Sequence, residues 1–485
     1  MVFTSHAFLF CFLPLVLLLN YTLPFRWLSF MLLCANLAFY GWTTPRWILL
    51  LLFSATVDYL CGRALAHLSG LKDERGELPL LPRGERRSPG QRAVLAVSMV
   101  SNLSLLAFFK YYDFGVANLN AVAQQLGAGE PLVAALHLAL PAGISFYTFQ
   151  SMSYGIDVYR GEARPLRSPI DFLCFVSLFP HLVAGPIIRY ATLAEQLRFR
   201  VFSWERFARG VAFFSLGMGK KILVANPLGH VADRAFAAAE LAWHDAWFGL
   251  VSYAFQIYFD FSAYSDMAVG LGLMLGFLLV RNFDDPYASE SITDLWRRWH
   301  ISLSTWLRDY LYLPLGGNRV SVSRTYLNLL VVMLLGGLWH GASWTFVIWG
   351  AIHGSMLVLE RMQGKTSAYR QLPRPARVAV TFVITCLAWV FFRADSVPRA
   401  WTYLQSLAGL RPVSPISALV SATLYTPYHL AVFGVAAVLV WGAPQAWSYT
   451  QRLTPAKAVV CVTVLVAAVL MMWTQTVNPF LYYQF

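Results

Sequence analysis

Two histidines stand in sequence surroundings that suit proton transfer. His300 lies in WRRWHISLSTWLRDYLYLPLGG, residues 296–317, and His340 lies in LGGLWHGASW, residues 335–344. An ionisable residue next to a long apolar run is costly to bury and is therefore a functional candidate. A neutral imidazole costs less, and its reference pKa lies close to the working pH of a general base. The sequence thus predicts catalytic roles for His340 and His300, with a packed, hydrogen-bonded side chain as the alternative for His300.

Two aspartates interrupt another apolar run, YFDFSAYSDMAVGLGLMLG, residues 258–276. Asp260 and Asp266 lie in the middle of an otherwise typical membrane span, where a carboxylate needs a partner. Two interpretations stay open: an ion pair that fixes the fold, or a group that orients a catalytic histidine or a ligand. The basic residues considered as partners are Arg297, Arg298 and Arg308.

A third histidine lies in a proline-flanked segment, LFPHLVAGPIIRY, residues 178–190. Prolines break a helix on either side of His181, and irregular backbone at membrane depth is tolerated only where protein or a cavity covers it. His181 is therefore predicted either to line such a cavity or to have a structural role.

Nothing in the sequence predicts a catalytic metal. It contains no H-E-x-x-H motif and no clustered set of Cys and His ligands. His353 follows His340 by 13 residues, so the two would face roughly opposite ways on one continuous helix. We expect no catalytic metal and no tightly bound cofactor.

The elements that must position these residues are apolar. Of the 485 residues, 58% are hydrophobic and only 13% are charged, which is typical of an integral membrane protein. Apolar runs recur along the whole chain. At about 20 residues per span they predict an all-α polytopic protein with roughly ten to thirteen transmembrane or re-entrant helices. No internal repeat is visible, so residues 1–485 are predicted to form one membrane-embedded domain.

The basic residues behind the formal net charge of +13 sit in short loops between the apolar runs. Their excess near helix ends predicts that two of these loops are cytoplasmic. No nucleic-acid-binding module accompanies them, so we expect no nucleic-acid partner. The loop at residues 70–92 contains Lys72, Arg75, Arg83, Arg86, Arg87 and Arg92, and the second loop contains Arg361, Lys365, Arg370, Arg374 and Arg377.

A polar and aromatic segment, residues 281–324, is too polar to be a span. Within it, the apolar side chains follow the spacing of one helical face, and His300 lies on that face. Polar residues at 293 and 294 begin the predicted helix, and Pro314 with the following glycines ends it. We expect one amphipathic helix that lies in the membrane interface or lines a funnel, with its arginines reaching headgroups or an anionic ligand. The members of the apolar face are Trp296, Trp299, His300, Leu303, Trp306, Leu307 and Tyr310.

Long motifs along the chain resemble those of the bacterial membrane-bound O-acyltransferases. Besides the two histidine motifs, they are YFDFSAYSDMA, PAGISFYTFQSMSYGIDVYRG and FPHLVAGPIIR, in the family's order and spacing. The opening MVFTSHAFLFCFLPL and the closing NPFLYYQF are also similar to the ends of a family member. The resemblance therefore covers essentially the whole chain.

This resemblance implies an inner-membrane enzyme that takes acetyl groups from a cytoplasmic donor. The first candidate for that donor is acetyl-CoA. The enzyme would pass the acetyl groups across the bilayer to periplasmic acetyltransferase proteins that esterify an exported polysaccharide, with alginate as the first candidate. The family fold implied is a ring of helices around a thinned centre, with a funnel from each face.

The family's essential histidine matches His340, and its second polar position matches His300. Arg297 and Arg298 then become candidate contacts for an anionic donor, and Asp260 and Asp266 for supporting the histidines. The tryptophans that flank the histidines, Trp296, Trp299 and Trp339, are taken as supporting residues, and His181 as a further candidate.

Other functions stay open. Within the enzyme class, the acceptor could be cellulose or another exopolysaccharide, or the reaction could be D-alanyl transfer to teichoic acid from an acyl carrier protein. A transporter or flippase would also be polytopic and polar at mid-depth, and would move a substrate without cleaving a thioester. A scaffold of a polysaccharide-export complex would tolerate replacement of both histidines.

Overall fold

A computed structural model describes residues 1–71, 78–364, 367–415, 417–475 and 480. Every regular element in these ranges is helical, which confirms the all-α class expected from composition. Of the basic loop residues, Lys72, Arg75 and Lys365 lie outside the described residues, as does most of the closing NPFLYYQF.

The chain forms two compact units. The first contains residues 1–208 and 271–279, and the second contains residues 209–270 and 280–485. The helices Trp204–Gly219 and Trp243–Met274 have residues in both units. The single functional domain expected from the sequence stays a prediction.

The first unit packs helices around an aromatic and aliphatic core. Its loop after residue 78 is pinned to the helix Ile144–Arg160, and glycine at 161 allows this because a Cβ there would overlap the carbonyl oxygen of Leu81. The α-helices within this unit are Leu13–Thr22, Phe25–Gly41, Trp47–His67, Pro89–Leu106, Tyr112–Gln125, Ile144–Arg160, Pro169–Ser177 and Tyr190–Arg198, and the π-helical turns are Phe8–Phe12 and Ala107–Tyr111.

The second unit contains His300 and His340. Its α-helices are Asn226–Ala237, Ile292–Arg298, Ile301–Leu307, Val322–His340, Trp344–Met362, Arg374–Arg393, Val397–Leu407, Ser417–Leu424, Pro427–Trp441, Ala446–Tyr449 and Pro455–Met472. Lys220–Ala225 and Arg308–Tyr312 are π-helical turns, and Pro286–Ala288 is a single 3₁₀ turn.

Several helices are long and apolar enough to cross a membrane. Within the described ranges five pass this test, or six when a pair bent by 59° at residues 425–426 is taken as one broken span. The chain is therefore a multi-pass membrane protein, and crossings by its shorter or more polar helices stay a prediction. The five spans are Trp47–His67, Pro89–Gln125, Val322–His340, Arg374–Arg393 and Pro455–Met472.

A tight helical hairpin presents His340. The helices Val322–His340 and Trp344–Met362 approach so closely that a Cβ at Gly337 would overlap the carbonyl oxygen of Phe346. Such close backbone approach requires glycine. The first helix ends at His340, and the side chain of Ser343 accepts a hydrogen bond from the amide of Thr345 at the start of the second.

The predicted single amphipathic helix of the 281–324 segment is wrong in one respect, because the structure breaks it at His300. The helix Ile292–Arg298 ends there, and Ile301–Leu307 begins a new one. His300 adopts a left-handed backbone, with φ +44°, a conformation that costs a non-glycine residue about 1–2 kcal/mol. Tertiary contacts described below hold this conformation.

Candidate active site

A cavity of about 470 Å³ in the second unit lies against His340. Its walls come from the short helices on either side of His300 and from both helices of the hairpin. The lining includes Trp296, Arg297, Leu303, Leu307, Arg308, Leu329, Val332, Met333, His340, Trp349, Leu357 and Arg361.

The cavity has a charged end and a buried end. Arg297 and Arg308 are exposed and Arg361 is half-buried, whereas His340 and Trp349 are buried. The rest of the described lining is mostly aliphatic and also includes Thr293, Trp296, Ser304, Tyr312 and Asn318. The hairpin residues in the lining run from 329 to 340, a helical rise of about 16 Å. The cavity is therefore elongated, with cations at its open end and an imidazole at depth.

Aromatic rings enclose His340. Its ring centroid lies 5.1 Å from Trp339, 5.2 Å from Trp349 and 5.1 Å from Phe392, in edge-to-face arrangements. Trp339 also contacts His300, with centroids 6.1 Å apart. The structure therefore brings the two predicted histidines together on either side of one tryptophan.

His300 is not among the residues that line the cavity, and one ring nitrogen is fixed by neighbouring polar side chains. Its Nδ1 lies 3.2 Å from Oδ1 of Asn282 and 3.4 Å from Oγ of Ser302. Asn282 is itself fixed, because its Oδ1 accepts from the amide and hydroxyl of Ser302 and its Nδ2 donates to Ser265. The opposite nitrogen, Nε2, is buried without a hydrogen-bond partner among the described residues.

Burial lowers the pKa of His300, which lies outside the apolar spans, and keeps its imidazole neutral. Nε2 can then accept a hydrogen bond when Nδ1 carries the proton, and donate one when it does not. Since Nδ1 contacts Asn282, Ser302 and the amide of Leu303, Nε2 is the ring nitrogen of His300 that has no described hydrogen-bond partner.

His353 forms a cluster with His300 and His340, linked through tryptophan rings; it lies on the second helix of the hairpin, so the spacing on one continuous helix does not apply. Its ring lies 4.9 Å from Trp349, the same tryptophan that His340 contacts. The indole Nε1 of Trp296 donates to Nδ1 of His353 at 3.3 Å. Because an indole N–H can only donate, the proton of a neutral His353 must be on Nε2. His353 is thus a hydrogen-bond donor at its free face and a poor candidate for the base.

The arginines divide by their partners. Arg298 forms an ion pair with Asp294, and Arg308 forms one with Asp309. Within the part of the chain that the structure describes, Arg297 and Arg361 have no carboxylate partner. Both line the cavity, so their charge is available to an anionic ligand. Of the two arginines that the family resemblance makes candidate donor contacts, Arg297 lies in the described lining and Arg298 does not.

The two aspartates pair with lysines rather than with the arginines considered from the sequence. Asp260 lies 2.5 Å from Nζ of Lys221, and both side chains are buried. Asp266 lies 2.7 Å from Nζ of Lys220. These distances support the ion-pair interpretation, and no described contact joins either carboxylate to a histidine of the cluster.

Two further predicted residues have packing contacts. His181 belongs to the first unit, where Nδ1 lies 3.2 Å from Nε2 of Gln150 and Nε2 lies 3.0 Å from the carbonyl oxygen of Phe175. Trp299 is buried against Trp389 and Phe283, at 5.1 and 5.2 Å between ring centroids. Neither residue is brought to the cavity that contains His340 in the second unit.

The described residues include no group of three or more His, Cys, Asp or Glu side chains that could hold a metal ion. The expectation of metal-free catalysis stays a prediction. What the arrangement can supply is an imidazole at the end of an apolar passage, rings that limit water, and unpaired guanidinium groups that suit phosphate.

Comparison with known proteins agrees with the sequence motifs. The model of the membrane-bound O-acyltransferase family matches residues 93–395. The chain is 46% identical over 401 residues to a probable alginate O-acetylase of Azotobacter vinelandii, covering 83% of this chain and 77% of that protein. It is 35% identical to the peptidoglycan O-acetyltransferase of Helicobacter pylori, covering 85% and 81%. It is 27% identical to the teichoic acid D-alanyltransferase of Bacillus subtilis, covering 52% and 68%.

Proposed function

We propose that this chain, which belongs to the membrane-bound O-acyltransferase family and is an O-acyltransferase, transfers acetyl groups from a cytoplasmic thioester to an exported polysaccharide across the inner membrane. The observation that carries the proposal is the cavity itself, with free arginines at one end and His340 at the other. The first candidates are acetyl-CoA as donor and alginate as acceptor.

The shape and charge of the cavity favour a donor of the CoA class. Such a donor carries phosphates at one end of a flexible arm and the thioester at the other. Arg297 and Arg361 would bind the phosphates, and the aliphatic walls would admit the arm as far as His340. Arg361 lies in the last turn of the helix Trp344–Met362, just before an arginine-rich loop, and the positive-inside rule supports a cytoplasmic position for this helix end.

The proposed step transfers the acetyl group from the thioester to a hydroxyl of whichever protein or polymer receives it at this site. His340 removes the proton from an acceptor hydroxyl as that oxygen attacks the acetyl carbon. The new C–O ester bond forms, the C–S thioester bond breaks, and the proton passes from the imidazolium to the departing thiolate. His300 would act through Nε2 in one of two ways. With a proton on Nε2 it would donate a hydrogen bond to the oxyanion, and otherwise it would orient the acetyl thioester.

The names of the relatives support a carbohydrate polymer outside the cytoplasm as acceptor. The printed names are alginate O-acetylase at 46% identity and peptidoglycan O-acetyltransferase at 35%. Alginate is therefore placed first and peptidoglycan second. We further propose that periplasmic acetyltransferase proteins receive the acetyl group before the polymer does.

The central experiment measures acetyl ester in the exported polysaccharide of cells that make the wild type or His340→Ala, at matched membrane abundance. We expect loss of ester with normal polymer yield. The matched control is His429→Ala, since His429 is also a buried histidine of the second unit but contacts the carbonyl of Leu424 instead of the cavity. Unchanged ester with His340→Ala would refute the base assignment, and loss of the polymer itself would favour a transporter or scaffold.

The donor assignment is tested separately with Arg361→Gln. In membranes supplied with acetyl-CoA, we expect a KM for the donor raised about tenfold, as one charged hydrogen bond is worth about 1.5–3 kcal/mol, with little change in kcat. With acetyl-phosphopantetheine, a donor that lacks the nucleotide, the KM values of the wild type and the variant should differ less. Equal KM values for acetyl-CoA would contradict the phosphate role of Arg361.

A further inference from the structure

A second charged cavity lies in the first unit, apart from any predicted catalytic residue. It has a volume of about 510 Å³ and is formed by the loop before the helix Pro89–Leu106 and by the end of the helix Ile144–Arg160. The side chains that matter in its lining are Glu85, Arg86, Arg87, Arg92, Tyr159 and Arg160. Four guanidinium groups thus surround a single carboxylate.

The cavity is built by specific contacts. Arg87 donates from Nε to the carbonyl oxygen of Tyr159 at 2.7 Å and from Nη2 to that of Pro82 at 2.8 Å, while its guanidinium lies over the Tyr159 ring. Ser88 and Gln91 form a reciprocal capping box that fixes the start of the following helix. Arg86 and Arg92 flank these fixed residues, and neither has a carboxylate partner in the described ranges.

The cavity lies where two apolar spans end. The end of the helix Trp47–His67 lies next to the start of the helix Pro89–Leu106. A hydrogen bond from Nε2 of Gln91 to the carbonyl oxygen of Leu65 joins them. The ends of spans lie at the depth of lipid headgroups. Leu68, just beyond the first span, is exposed beside the first turn of the second, which suits contact with acyl chains.

From this geometry we propose that the cavity binds the phosphate of an anionic glycerophospholipid of the cytoplasmic leaflet. Arg86 and Arg92 hold the phosphate, Arg87 forms a fixed wall, and Glu85 contacts a hydroxyl of the headgroup. A soluble nucleotide fits less well, because Arg87 already covers the Tyr159 ring on which a base would stack. Basic pockets between transmembrane helices on the cytoplasmic side recognise such headgroups.

The test uses the purified full chain and native mass spectrometry to count retained phosphatidylglycerol, with phosphatidylcholine of the same acyl chains as the zwitterionic reference. Arg86→Gln/Arg92→Gln should weaken phosphatidylglycerol binding by about thirtyfold, the factor expected for two arginine–headgroup contacts. The matched control is Arg26→Gln/Arg46→Gln, which removes the same charge from the first unit, with Arg46 at the other end of the span Trp47–His67.

Equal retention of phosphatidylglycerol by the site variant and the control would overturn the proposal. A second arm adds inorganic phosphate or ATP to the lipid-free protein and measures thermal protection. Protection that disappears in Arg86→Gln/Arg92→Gln, without any difference in lipid retention, would assign the cavity to a soluble phosphate and also overturn it. Because all four substituted arginines are exposed, both variants should remain folded. The outcome is independent of acyl transfer, so it does not depend on the function proposed above.

Discussion

Replacing Asn282 with alanine should lower the rate of acetyl transfer per folded molecule, beyond the activity lost through reduced stability. The buried side chain of Asn282 accepts two hydrogen bonds from Ser302, contacts Nδ1 of His300 and donates to Ser265. Each buried polar group left without a partner costs about 1–3 kcal/mol, so the variant should be destabilised by a few kcal/mol. The further consequence is geometric, because the left-handed backbone at His300 loses a contact that holds it.

The expected kinetic effect follows from that loss of position. With Asn282→Ala, the ring of His300 can move toward the vacated space, and a displacement of about 1 Å lowers a transfer rate on the order of a hundredfold. Asn282→Asp keeps the acceptor oxygen for Ser302 and the side-chain volume beside Nδ1 of His300, and should retain much of the activity that Asn282→Ala loses. The measurement is acetyl ester formed per unit of membrane-inserted protein, with thermal stability in detergent recorded for each variant.

Asn328→Ala provides the matched control. Asn328 is another buried asparagine of the second unit, and its Nδ2 donates to the carbonyl oxygens of Leu315 and Gly317, away from the histidines. It should lose comparable stability but keep its activity per folded molecule. If both alanine variants lost activity in proportion to stability alone, Asn282 would be a purely structural residue and the positioning argument would be refuted.

Two further predictions concern packing and charge. Gly337→Ala should cost about 1–3 kcal/mol of stability, because its Cβ would overlap the carbonyl oxygen of Phe346. In Gly336→Ala the new Cβ meets only a side-chain atom at 3.4 Å, so this variant should be tolerated. Thermal unfolding in detergent compares the two variants, and equal melting temperatures would contradict the packing argument. Lys221→Met should lower stability by about 3–5 kcal/mol by leaving the buried Asp260 without its ammonium partner. Adding Asp260→Leu should then restore most of the loss in the same assay, and a double variant no more stable than the single one would show that the charge pair is not the cause.

The sequence predicted the fold class, and it named several residues that the structure places in the lining of the cavity, because both depend on patterns of local composition. Apolar runs predict helices in a membrane, and the glycine- and tryptophan-flanked His340 was identifiable within its own motif. Three residues named from these motifs, Trp296, Arg297 and His340, lie in the lining of the cavity. Their catalytic and binding roles stay proposals.

The rest depends on contacts between distant parts of the chain. Helical periodicity could not show the break at His300, because the left-handed conformation is stabilised by Asn282, 18 residues earlier. The spacing between His340 and His353 could not show that both contact Trp349, because one helix ends at His340 and another begins at Trp344. The lysine partners of Asp260 and Asp266 could not be found from local sequence patterns, because they belong to a π-helical turn about 40 residues upstream.

The distribution of charge in the second unit bears on how a proton would leave the site. Among the described residues that line the cavity there are arginines but no aspartate or glutamate. Asp260 and Asp266 are paired with Lys221 and Lys220, and the buried Glu360 accepts hydrogen bonds from the amides of Ile292 and Thr293. An imidazolium formed at His340 would therefore face aromatic rings, with no carboxylate among the described lining residues to take its proton. Such an environment favours rapid return of the proton to the departing thiolate, which is the step that an acyl transfer requires after the ester bond has formed.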